Sequence, residues 1–159
     1  MTVTPRAPLE VGIAVRDLER AATFYETVLG FRRMSEATLA PDRAEQAGFG
    51  RVAFRMVRMQ TDYGERIKLL QTDPLPEDPG RAATLLGRTG FAYLTFVVTD
   101  IEAALDRLKQ AGAEMITDGP VQTRPGTRLA FFRDSEGNPL ELVQYDDLKA
   151  YRPDIFAGE

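Results

Sequence analysis

One pattern occurs twice in this chain, and that duplication constrains the fold more than any other feature. Leu9-Glu10-Val11-Gly12-Ile13-Ala14-Val15-Arg16-Asp17-Leu18-Glu19 returns in character as Ala92-Tyr93-Leu94-Thr95-Phe96-Val97-Val98-Thr99-Asp100-Ile101-Glu102. Each copy is an apolar run ending in Asp, followed by an amphipathic segment that stops at Gly30 or Gly112. Downstream, Arg51-Val52-Ala53-Phe54-Arg55 matches Arg128-Leu129-Ala130-Phe131-Phe132, and Ile67-Lys68-Leu69-Leu70-Gln71 matches Leu140-Glu141-Leu142-Val143-Gln144. The chain is therefore two copies of one strand-helix-hairpin unit, and each copy must bury the same helix stripe against the same small sheet.

The first run of each copy is short and rich in β-branched residues, which suits a strand with one helix-covered face. Asp17 and Asp100 stand where an N-cap carboxylate accepts a free backbone N–H of the first helical turn. Leu18, Ala21, Ala22, Tyr25 and Val28 then share a helical face, as do Ile101, Ala104, Leu105 and Leu108. Gly30 and Gly112 supply the left-handed stop. A second strand is expected over 32–38, and a short helix within the polar, Ala-rich stretch 41–50. Residues 51–59 and 65–71 read as a hairpin about Thr61-Asp62-Tyr63-Gly64; 127–133 and 139–145 form its counterpart about Asp134-Ser135-Glu136-Gly137-Asn138. Arg124-Pro125-Gly126 reads as the turn before that second hairpin rather than as a ligand contact.

The expected class is α+β, with two tandem βαβββ modules over 8–72 and 91–145 whose curved mixed sheets surround a central cavity. Between them, Pro74, Pro76, Pro79 and Gly80 mark a linker over 73–90, with a helical turn over 81–86. The tail 146–159 carries Leu148, Tyr151, Ile155 and Phe156, which either fray or dock over a pocket or a second subunit.

Composition removes whole classes of chemistry. With no cysteine and no histidine, disulfides, thiolate nucleophiles, sulfur-ligated metals and the usual neutral-pH base are all excluded. Carboxylate, amine, phenol or backbone groups must do the work. A net charge of -4 with both signs spread along the chain leaves no basic stripe for nucleic acid. No run reaches the ~18 apolar residues of a membrane span, and Met-Thr-Val-Thr-Pro-Arg does not resemble a secretion signal, so a cytoplasmic protein without a membrane partner is expected.

Period-two alternation then picks out one face of each sheet. Glu10 aligns with Gly12 and Ala14, Tyr93 with Thr95 and Val97, Lys68 with Leu70, and Glu141 with Val143. By the repeat, Glu10 is equivalent to Tyr93 and Lys68 to Glu141. Four residues with polar ends thus occupy two pairs of related places on strands that are otherwise apolar.

The paired βαβββ modules, the Val15-Arg16-Asp17-Leu18-Glu19 and Val98-Thr99-Asp100-Ile101-Glu102 elements, and the Phe132-Arg133-Asp134-Ser135-Glu136-Gly137-Asn138-Pro139-Leu140-Glu141-Leu142 ending together resemble the vicinal oxygen chelate superfamily. That group includes glyoxalase I, bleomycin resistance proteins, fosfomycin resistance enzymes, methylmalonyl-CoA epimerase and extradiol dioxygenases. The resemblance covers about residues 8–145. In metal-using members a divalent ion is held by His or Gln and Glu on the first and last strands of each module, at places that correspond here to Glu10, Lys68, Tyr93 and Glu141. It also implies that Phe54, Met56, Leu129 and Phe131 line the cavity, that Glu10 lies beside Lys68, and that the protein is a homodimer.

The sequence departs from the family pattern at the metal. Lys68 is a cation without a lone pair at neutral pH and Tyr93 is a neutral phenol, so a metal-free site without a cofactor is expected, with the ammonium supplying the positive charge. A hard Mg²⁺ or Mn²⁺ ion on Glu10, Glu141 and water is the competing arrangement. Without metal, one carboxylate acting as base, with Lys68 and Tyr93 donating to an enolate oxygen, suits a lyase, isomerase, epimerase or cyclase acting on a small carbonyl compound. Two other readings fit the same residues. One is a non-catalytic protein that sequesters an apolar or aromatic molecule, and the other is a salt bridge that only holds strand ends together.

Overall fold

The computed structural model describes residues 6–78 and 80–156. Pro79, among the linker prolines, lies outside the described residues, as does the opening segment 1–5. The chain divides between Gly80 and Arg81 into two compact units.

The first unit runs β1 (Glu10–Ala14), α1 (Leu18–Thr27), β2 (Arg32–Leu39), α2 (Pro41–Gln46), β3 (Ala53–Gln60) and β4 (Arg66–Asp73). Its sheet has the order β1-β4-β3-β2, with β1 parallel to β4 and the remaining pairs antiparallel. Parallel pairing requires a crossover, and α1 provides part of it. The Asp17 carboxylate accepts from the Arg20 N–H at 3.0 Å, and Gly30 takes φ +74° past the helix end. Leu18, Ala21, Ala22 and Tyr25 of α1 are buried with Val57, Met59, Ile67 and Leu69 of the sheet. The Tyr25 ring meets Phe31 edge-on at 5.4 Å. Burying a side chain of this size contributes roughly 1.5–3 kcal/mol, so this face fixes the unit's register.

The second unit repeats the plan with β5 (Leu94–Val97), α3 (Ile101–Gln110), β6 (Val121–Arg124), β7 (Thr127–Arg133) and β8 (Pro139–Tyr145), in the order β5-β8-β7-β6. Asp100 accepts from the Ala103 N–H at 3.0 Å, and Gly112 takes φ +72°. Ile101, Leu105 and Leu108 of α3 are buried, as are Ala130, Phe132, Leu140 and Leu142 of the sheet. Both units are α+β with four-stranded mixed sheets, as the repeat requires.

A second repeated device joins helix to sheet. Gln71 Oε1 accepts the Leu18 N–H at 2.8 Å, and Gln144 Oε1 accepts the Ile101 N–H at 2.9 Å. Each glutamine satisfies an orphan donor of the first helical turn from the strand that also carries the central polar residue of its unit.

Local departures from the expected elements have simple causes. The stretch 81–86 is not helical; Gly87 N–H donates to Thr84 O at 3.0 Å and closes an isolated turn. The turn about Asp134 is organised by that carboxylate, which accepts from the Glu136 and Asn138 N–H groups and the Asn138 side-chain amide, each at 2.9 Å. In the tail, α4 (Leu148–Tyr151) and a 3-10 turn (Pro153–Phe156) follow β8, and Tyr151 stacks on Tyr145 with centroids 3.7 Å apart.

Candidate functional site

In the first unit, the parallel register puts Gly12 opposite Lys68 and Glu10 opposite Arg66, on the sheet face turned away from α1. Because Gly12 has no side chain, the Lys68 amine can reach along the strand to Glu10, with Nζ 3.5 Å from Oε2. Two residues that period-two reading had not singled out join them. Arg66 Nη1 stands 3.3 Å from Glu10 Oε1, and Arg58 Nε stands 3.6 Å from Glu10 Oε2. Arg58 could have been found from the sequence. It shares its face with Phe54 and Met56, and the hairpin about residues 61–64 sets it directly across from Lys68.

The four side chains are about one third exposed. Burial works to raise the Glu10 pKa, but hydrogen bonding to Arg66 and the charges of Arg58 and Lys68 outweigh it and hold the carboxyl below its ordinary 4.5. Glu10 is thus ionised at neutral pH and, surrounded by cations, is a weak base.

In the second unit the equivalent place is built differently. Thr95 stands opposite Glu141 in the β5–β8 pair, and its hydroxyl donates to Glu141 Oε2 at 2.5 Å. Glu141 is 8% exposed, and among the described residues it has no ion-pair partner. Phe131 pairs with Glu141 across β7 and β8 and so shares its face. The Phe131 ring meets Tyr93 edge-on at 5.0 Å, and Tyr93, just before β5, is 41% exposed. These two rings with Thr84, Leu85 and Leu86 line an open depression of about 430 Å³. A buried carboxylate therefore lies next to an apolar, aromatic pocket wall.

The remaining cavity candidates are Phe54, Met56 and Leu129. Phe54 is already covered, with its ring 5.1 Å from Phe49 and only 7% of its surface exposed. Met56 and Leu129 are half-buried on the faces that carry Lys68 and Glu141 respectively.

A divalent ion does not fit the donor set. In the first unit the equivalent positions hold an ammonium and a carboxylate already engaged by three cations, which would repel a second positive charge. Among the described residues no three of His, Cys, Asp or Glu stand close enough to hold a metal.

The family profile of the Glyoxalase/Bleomycin resistance protein/Dioxygenase superfamily matches residues 8–142, most of the chain. The chain belongs to that superfamily. Solved structures agree. A glyoxalase family protein from Bacillus cereus is 26% identical, with a TM-score of 0.77 over 91% of this chain and 98% of that one. A glyoxalase/bleomycin resistance protein/dioxygenase domain from Frankia sp. is 22% identical, with a TM-score of 0.64 over 91% and 93%. A glyoxalase I mutant from Zea mays shares the fold at 20% identity and TM-score 0.66, covering 89% of this chain but 45% of that longer one. No curated protein matches the sequence. Superfamily membership accounts for the duplicated βαβββ plan. No helix among the described residues is long and apolar enough to cross a membrane.

Proposed function

We propose that this superfamily member acts in the cytoplasm, without a metal, on a small carbonyl compound, with Glu141 as the proton-transfer group. The observation that carries the reading is the Glu141 environment: a nearly buried carboxylate, held by the neutral Thr95 hydroxyl and flanked by the Phe131–Tyr93 pair of the pocket. Unlike Glu10, it has no ion-pair partner among the described residues.

The chemistry is enolisation. The Glu141 carboxylate removes a proton from the carbon beside the carbonyl, and the C–H electron pair moves to form an enolate. The Tyr93 phenol supports the reading as a hydrogen-bond donor to the enolate oxygen. Return of the proton to either face gives an epimerase or isomerase, and loss of a β-substituent gives a lyase. In this assignment Lys68 and Glu10 take no part in proton transfer. By analogy with its relatives the protein is proposed to work as a homodimer, which sedimentation equilibrium would read directly.

The test is proton exchange. Carbonyl compounds incubated with the protein in D₂O should exchange the hydrogen beside the carbonyl, followed by NMR. Glu141→Gln should slow exchange about 10²- to 10⁴-fold while circular dichroism stays unchanged. Equal exchange in the two proteins would remove Glu141 from the mechanism. The apolar pocket lining supports a second reading, sequestration of an aromatic molecule. Under that reading the native protein binds without exchange, and Glu141→Gln retains the affinity.

A further inference from the structure

We propose that the open face of the first unit's sheet is a binding site for a small dianionic oxyanion, built by Arg58, Arg66 and Lys68 around Glu10. This goes beyond the assignment of Glu141 and does not rest on it.

The charge count comes first. Three cations converge on one carboxylate at 3.3, 3.5 and 3.6 Å, leaving two positive charges in surplus on this patch. One cation would suffice to neutralise Glu10 if the cluster only held strand ends together. The surplus also runs against a chain whose net charge is -4. Farther along the same sheet, Arg32 is neutralised by Asp62 at 3.1 Å, so the excess is local to Glu10.

Register gives the second argument. Arg58 and Lys68 are direct cross-strand partners in the β3–β4 hairpin. Like charges directly opposite each other destabilise a sheet unless an anion lies between them. Glu10 offers one carboxylate to three claimants and cannot satisfy them all.

The third argument is an orphan donor. Arg58 Nη1 donates to Ser35 Oγ at 2.9 Å, which orients the guanidinium, but its buried Nε has no hydrogen-bond partner. Glu10 Oε2, at 3.6 Å, is beyond hydrogen-bond reach. Glu10 therefore does not satisfy this donor, and the donors of the cluster outnumber its acceptors. Gln60 orients Arg66 in the same way, accepting from its Nε at 2.6 Å. Two pre-oriented guanidinium forks and an ammonium match the oxygens of a phosphate or a pair of carboxylates.

The full chain would be titrated by calorimetry, at constant ionic strength, with inorganic phosphate and separately with malonate. Saturable binding of one phosphate per chain is expected. Response to phosphate alone assigns a phosphomonoester, and response to both extends the site to dicarboxylates. Lys68→Gln should weaken binding at least tenfold. Glu10→Gln should tighten it roughly five- to tenfold by removing the competing carboxylate, a sign opposite to that of a structural salt bridge. Arg51→Gln, which removes an exposed cation already paired with Asp42 and Glu45, should change nothing. If Lys68→Gln proves unfolded by circular dichroism, the sign of the Glu10→Gln effect decides. No saturable heat with either probe, unchanged or weaker binding in Glu10→Gln, or equal losses in Arg51→Gln and Lys68→Gln would overturn the proposal.

Discussion

The two units share a scaffold and differ at its centre. On the helix side the equivalences are close: Asp17 and Asp100 cap their helices, Gln71 and Gln144 tie helix to sheet, and Gly30 and Gly112 end the helix. On the opposite face the same backbone positions carry Gly12 across from Lys68 in one unit and Thr95 across from Glu141 in the other. One centre is a cationic patch and the other a lone buried carboxylate. The folding constraint thus lies on the covered face, and the open face is free to differ in charge.

The strongest way to break this comparison is to write the second centre into the first. Gly12→Thr combined with Lys68→Glu should leave the fold intact, because a Cβ at Gly12 meets only Leu70 Cδ1, at 3.6 Å. Phosphate affinity should fall by more than tenfold, since two units of positive charge leave the patch. Native-like affinity in a folded double variant would show that the charge difference between the units carries no binding.

A smaller effect sharpens the shared half of the comparison. Gln71→Ala and Gln144→Ala each leave one helix-start N–H without its partner, and each should cost about 1 kcal/mol in urea denaturation. Amide exchange should accelerate at Leu18 in the first variant and at Ile101 in the second. Clearly unequal costs would mean that the two joints are not equivalent despite their matching geometry.

The smallest effect concerns a feature of the second unit alone. Burial, followed by hydrogen bonding to Tyr151, pushes the Tyr145 phenol up from 10.0 to about 12. A raised phenol pKa means that the folded protein favours the neutral form. The stabilisation from burying the neutral Tyr145 phenol, to which the Tyr151 hydrogen bond adds, is therefore complete below pH 10 and is lost as pH rises through about 12. Ultraviolet titration of tyrosinate should show a late-ionising phenol that disappears in Tyr145→Phe. If no late phenol exists in the native protein, α4 is not held by this contact.

Much of the fold was legible because the repeat made each unit a check on the other. The Asp caps, glycine stops and apolar helix stripes all appear where the spacing predicts them, since each obeys a local rule. The stretch 81–86 did not become helical. Its apolar residues Leu85 and Leu86 line the depression beside Tyr93 instead of packing in a helix stripe. The proximity of Lys68 and Glu10 was legible from the parallel strand pairing that the resemblance implied. Arg58 was missed, although strand alternation and the hairpin turn together place it opposite Lys68. Arg66 was harder to find, because its reach to Glu10 depends on a side-chain path that no sequence period encodes. Thr95 stood in the alternation pattern as a face marker, and its hydrogen bond to Glu141 emerges only with the register of β5 against β8.

The joints made by Gln71 and Gln144 are side-chain amides, which neither titrate nor carry charge. Acid, alkali or added salt can therefore remodel the ionic centres a few residues away on the same strands while the seams between helix and sheet stay closed. Such a frame tolerates large electrical changes at its working surface, and natural variation could reverse the polarity of either centre without first having to rebuild the protein around it.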